Sequence, residues 1–138
     1  MTDLERFLAA QDGGGTYDRA QRELRAGRKQ THWMWFVFPQ VAGLGRSATA
    51  VRYALADLAE ARAYLAHPVL GPRLRESAQA LLDLPGRDAP AVLGSVDAQK
   101  LRSSMTLFAA ADPDDPVFTT VLSCWFDGEP DEATLCRL

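Results

Sequence analysis

The sequence is poor in the residues that staple or metallate a small protein. Its 138 residues include two cysteines and two histidines. Cys124 and Cys136 form no C-x-x-C pair, and with His32 and His67 they make too small a set for ordinary zinc binding. The expectation is two free thiols in a reducing, cytoplasmic setting, with a bridge between them left open, and no metal or other cofactor. Long apolar runs are missing too. No stretch approaches the roughly 18 apolar residues of a membrane helix. The opening "MTDLERFLAAQ" carries acidic residues and no long apolar run, unlike a signal peptide. Both absences argue for a soluble protein with no membrane partner. Strand-like alternation, internal repeats and low-complexity tracts are likewise lacking. Positive charge is outweighed, 15 Lys and Arg against 18 Asp and Glu, and the resulting net charge of −3 argues against general nucleic-acid binding.

What is present suits a globular domain. Hydrophobic residues make up 47% and charged residues 24%, ordinary values for a packed core. A chain of this length suits one domain over residues 1–138, able to bury roughly two-thirds of its unfolded surface without staples. Charge is unevenly distributed. From Arg19 to Arg52 there are seven Arg or Lys against one Glu, and from Ala111 onward seven Asp or Glu against one Arg. Solvated helix faces and intramolecular complementarity account for such blocks as readily as a binding surface does.

Helix signals recur along the chain. "TDLE" reads as a capping box joining Thr2 and Glu5, ahead of an apolar face of Leu4, Phe7 and Leu8. "DGGG" ends that segment. Thr16 or Asp18 starts a second helix, which Gly27 closes in the left-handed conformation. Ser47 caps a short helix reaching Tyr53. Asp57 with Glu60 forms another capping box, and His67-Pro68 breaks the helix that follows. Pro72 is suited to the first helical position of "PRLRESAQALLDL". "PGRDAP" is a turn, Ala91 to Leu93 one helical turn, and Asp97 a cap for "AQKLRSSMTLFAAA". Asp115-Pro116 opens "VFTTVLSCWF", and Asp131 caps a last short helix. The fold class predicted is all-α: a compact, single-domain bundle of seven or eight short helices around a central aromatic segment.

That segment is "HWMWFVFPQ". Six consecutive apolar side chains, Trp33 to Phe38, are buried whether they form a helix or a strand. Any site attached to them lies at the polar ends, His32 and Gln40, or on a Trp33 face open to a flat ligand. Three neighbours add to this. In "RAGRKQTH", Arg28 and Lys29 complement a helix C-terminus, or converge with His32 on an anion. In "GLGRS", Arg46 and Ser47 open a helix whose N-terminal amides suit an anion, although neither G-x-G-x-x-G nor a Walker A pattern is present. In "DAQKLRSSMTLF", Lys100, Ser103 and Ser104 are helical neighbours. A desolvated Lys100 could serve a serine as base, but a bond from either serine to a carbonyl one turn back, or close helix packing, is the simpler account. His67 at a helix end suits the dipole and suggests no metal set.

The strings "ELRAGRKQTHWMWFVFPQVAGLGRS", "AYLAHPVLGPRL" and "KLRSSMTLF" resemble the family of small bacterial and fungal proteins catalogued as domain of unknown function 1810. The resemblance runs from Leu4 to Leu138. It implies a compact all-helical domain and assigns no catalytic residue. Some relatives carry a calpastatin label; a protease inhibitor of that kind is expected to be disordered and poor in apolar residues, unlike this chain.

The functional expectation is therefore a small anionic ligand bound where Arg28, Lys29, His32, Trp33, Gln40, Arg46, Ser47, Lys100 and Ser104 converge, beside residues 28–47 and 100–104. The alternative is a protein-interaction module with a protein partner, using surface around "DPDDPVF" and "CWFDGEPDE". An enzyme ranks third, because only His32 or Lys100 offers a general base. The sequence leaves the oligomeric state open.

Overall fold

In the computed structural model, residues 3–86 and 88–138 are described. They form ten α-helical segments in order: α1 Glu5–Asp12, α2 Thr16–Ala26, α3 Met34–Val37, α4 Ala48–Arg52, α5 Leu58–Ala66, α6 Leu70–Leu82, α7 Ala89–Leu93, α8 Ser95–Ala111, α9 Pro116–Phe126 and α10 Glu132–Leu135. The all-α expectation holds. The count exceeds seven or eight because the segment left open as helix or strand forms α3 and the short turns α4, α7 and α10 all count as helices, each five residues or fewer. Among the described residues the sole β-type pairing is one bridge between Val41 and Leu55. None of the helices is long and apolar enough to cross a membrane.

Most of the local signals act as their chemistry predicts. Ser47, Asp57, Asp115 and Asp131 each accept a backbone N–H in the first turn of the helix that follows. Glu60 accepts the Ala56 N–H at 3.1 Å, one residue before the Asp57 N–H that a capping box would engage. Gly27 is left-handed at φ 73°, and the Arg28 N–H reaches back to the Glu23 carbonyl at 3.0 Å, which satisfies a carbonyl left over at the helix end. The box placed at Thr2 lies outside the described residues.

Three boundaries differ from the sequence reading. "DGGG" does not simply end α1: Gly13–Gly15 form one 3-10 turn that leads straight into α2. α6 begins at Leu70, so Pro72 is its third residue. It is tolerated there because the first-turn N–H groups have no partner inside the helix. α8 begins at Ser95, so Asp97 lies within its first turn, and its carboxylate is drawn into ion pairs instead.

α8 is the longest helix, at 17 residues, and packs against α5, α7, α9 and α10. The aromatic segment becomes the one-turn α3 and its flanks. Trp33, Met34, Val37 and Phe38 are buried, and Trp35 is half-buried. A file of rings crosses the core. Phe7 meets Tyr64 edge-on at 5.2 Å, Tyr64 meets Phe108 at 5.6 Å, and Phe108 meets Phe118 at 5.8 Å. The rings therefore join α1, α5, α8 and α9. Gln11 is buried among them and donates to the Phe36 carbonyl at 2.7 Å, so a polar side chain in the core is paired, as burial demands.

Candidate functional site

The nine residues nominated from sequence do not share one place. Trp33 is fully buried, and its indole N–H donates to Glu23 at 2.9 Å. Ser104 is also fully buried, and its hydroxyl has no hydrogen-bond partner among the described residues. His32 and Arg46 are exposed, and so is Ser47, which caps α4. Lys29 is nearly buried against Asp97, and the remaining three divide between two concave surfaces, Gln40 and Lys100 on one and Arg28 on the other.

The first is a cleft of about 440 Å³ between the segment around α4, one face of α8, and α10. Gln40, Leu44, Gly45 and Ala50 form one wall, Val96, Gln99, Lys100 and Ser103 the second, and Asp131 with Ala133 the third. The α8 residues follow the i, i+3, i+4, i+7 spacing of a single helical face, a pattern visible in the sequence once α8 is known to border a cleft. Gln40 and Lys100 were nominated; Gln99, Ser103 and Asp131 as a cleft wall were not.

Charge in the cleft is polarised. At one end the Lys100 ammonium lies 3.3 Å from Asp97 and 4.5 Å from the centre of the Trp35 ring. The Lys29 ammonium lies 2.8 Å from the same Asp97 and 5.2 Å from the Trp33 ring. Two ammonium groups thus share one carboxylate, and aromatic faces help to hold both. The side chain of Lys29 is only 8% exposed, which makes this ion pair the reason it can be buried at all. At the other end Asp131 is answered by donors from its own fold. It accepts from Gln99 at 2.8 Å, Ser103 at 3.1 Å, and the Thr134 N–H and hydroxyl at 3.0 and 2.6 Å. Neither serine hydroxyl is bonded to Lys100. Ser103 faces the Gln99 carbonyl and Asp131.

The second surface is a groove of about 380 Å³ lined by Arg19, Arg22, Glu23, Ala26, Arg28, Gln30 and Thr31. The left-handed Gly27 turns the chain so that residues 28–31 return beside α2. Glu23 fastens that return. It accepts the Gln30 N–H at 2.7 Å, the Thr31 N–H at 2.9 Å, the Thr31 hydroxyl at 2.6 Å and the Trp33 indole. Burial opposes its ionisation, but these hydrogen bonds outweigh burial and hold its carboxyl down at about 2.

The charged blocks of the sequence do not pair with each other. Among the described residues, the acids after Ala111 meet Arg75 and Arg102, and the basic segment meets Glu76 and Asp97. The "DPDDPVF" and "CWFDGEPDE" strings bury Phe118 and Trp125. Cys124 and Cys136 are free and exposed. Among the described residues no three His, Cys, Asp or Glu gather closely enough to hold a metal.

A family model described as protein of unknown function (DUF1810) matches residues 1–138. The chain belongs to that family, as its strings suggested. Among solved structures it is similar to the conserved hypothetical protein Rv1873 from Mycobacterium tuberculosis. The two are 47% identical, with 99% of this chain and 96% of that one covered and a TM-score of 0.95. Comparison with curated proteins gives no match.

Proposed function

We propose that this protein binds a small ligand with an apolar body and one anionic end in the cleft between α4, α8 and α10. One observation carries the reading. Lys29 and Lys100 share the single carboxylate of Asp97, so the Lys100 ammonium that lines the cleft is only half answered, while Asp131 is already engaged by four donors of its own fold. The walls otherwise offer Leu44, Ala50, Val96 and Ala133, with few polar groups, as small-molecule sites do. A carboxylate or phosphate monoester meets Lys100, the Gln40 amide orients it, and the apolar walls cover the body. No bond-making chemistry is invoked, since neither His32 nor Lys100 is bonded to a hydroxyl nucleophile.

The test is a thermal-shift screen of aromatic and branched carboxylates and phosphate monoesters, each beside its neutral amide or alcohol. A ligand at 100 times its Kd adds about 2.7 kcal/mol of stability. The acids should raise Tm while their neutral partners do not, and Lys100→Ala should remove the effect. Equal shifts for acid and amide, or an undiminished shift in K100A, would overturn the anionic assignment.

A second reading, a protein partner at the same place, is favoured by the exposed apolar residues. Val51, Val96, Leu135 and Leu138 are exposed and lie on or just beyond α4, α8 and α10, the elements that frame the cleft. Photo-crosslinking from position 96 would reveal such a partner as a discrete adduct lost in Val51→Asp; no adduct in cells would rule against it.

A further inference from the structure

We propose that the groove between α2 and residues 28–31 is a separate site for a compact, multiply charged phosphate, of the pyrophosphate or nucleoside-diphosphate class. Arg19 and Arg22 stand three residues apart on one face of α2, and Arg28 returns to them across the Gly27 turn. Arg6, Arg25, Arg73, Arg75 and Arg102 each have a carboxylate within 4.0 Å. The three groove arginines have none among the described residues. Arg19 gives one N–H to the Gly14 carbonyl at 3.1 Å. Among the described residues the one acid lining the groove is Glu23, and it already receives four donors.

In a chain of net charge −3, three guanidinium groups around one concavity outnumber its Glu23 carboxylate, and that positive surplus is one that an anion would relieve. Guanidinium matches phosphoryl oxygens in a two-point, planar fashion that ammonium cannot. A groove of about 380 Å³ suits a compact ligand. The acidic balance of the rest of the chain opposes a long nucleic-acid strand, whose binding grows with every phosphate neutralised. This groove shares no lining residue with the Lys100 cleft, so the two sites stand or fall separately.

Calorimetric titration with pyrophosphate, orthophosphate, ADP and a short single-stranded oligonucleotide tests the assignment. Pyrophosphate and ADP should bind, orthophosphate at least tenfold more weakly. The double variant R22A/R28A should weaken pyrophosphate at least tenfold, and R22K/R28K should restore part of that loss. The Arg25 side chain pairs with Glu76 outside the groove lining, and Arg25→Ala should leave pyrophosphate binding unchanged. The side chains of Arg22 and Arg28 make no ion pair or hydrogen bond among the described residues, so without ligand R22A/R28A should melt at the wild-type temperature or above. Binding undiminished in that variant, no heat with pyrophosphate, tighter binding of the oligonucleotide, or a lower melting temperature of the free variant would each overturn the proposal.

Discussion

Glu23 meets four donors with two oxygens, and its lowered carboxyl makes a definite pH prediction. Its folded value is about 2 against 4.5 for the free group. A depressed carboxyl stabilises the fold fully above the unfolded value, and that contribution fades as pH falls from about 4.5 toward 2. The difference is worth on the order of 3 kcal/mol. Glu23→Gln should therefore lose about 2–3 kcal/mol at pH 7 by denaturant unfolding, and its stability should fall less steeply than wild type below pH 4.5. Parallel acid profiles would show that the carboxylate is not the sensitive group. Ser104 is the opposite case: its buried hydroxyl has no hydrogen-bond partner among the described residues to offset its loss of water. Ser104→Ala should be neutral or stabilising by up to about 1 kcal/mol. A loss of more than 1 kcal/mol would point to a bond formed in solution.

At the scale of elements, close approach and shared charge decide the outcome. Gly71 is buried at the start of α6, and a methyl group built there would collide with the Leu65 carbonyl of α5. Backbone cannot yield as a side-chain tip can, so Gly71→Ala should cost about 2–3 kcal/mol, read from the urea midpoint. Asp97 joins the 28–31 return to α8 through Lys29 and also pairs with Lys100 one turn along its own helix. Asp97→Ala leaves the nearly buried Lys29 ammonium unpaired and should cost about 3 kcal/mol; Lys29→Met in that background should recover part of the loss. These elements also mark what the sequence could disclose. The caps at Ser47, Asp57, Asp115 and Asp131 and the Gly27 stop were legible because each depends on residues within four positions. Asp97 was misread because a cap is inferred locally, whereas its partner Lys29 is 68 residues away. α3 had no readable type, since a segment apolar on every side has no period from which helix or strand can be told.

Across the whole molecule, the buried apolar residues of all the longer helices form one cluster. Phe108 sits in the middle of the file of rings. Phe108→Ala should cost about 3–5 kcal/mol and should move the unfolding transitions followed by far-UV and near-UV circular dichroism by the same amount. Transitions that separate would mean that the helices do not melt as one unit. The division of the candidate residues into two surfaces belongs to this scale, and it was invisible in the sequence. Arg28 and Lys29 are adjacent in the chain. Yet the turn after Gly27 sends Arg28 to the groove and Lys29 inward to Asp97, and only the path of the chain in space decides that.

The bond from the Trp33 indole to Glu23 has an optical consequence. Indole emission shifts in colour and yield with the charge and mobility at its N–H. Trp33 is fully enclosed, and its acceptor also anchors Gln30 and Thr31 in the groove wall. Trp33 is one of three tryptophans, so with Trp35 and Trp125 replaced by phenylalanine the proposed anion among the arginines should announce itself as a change in light with no label attached.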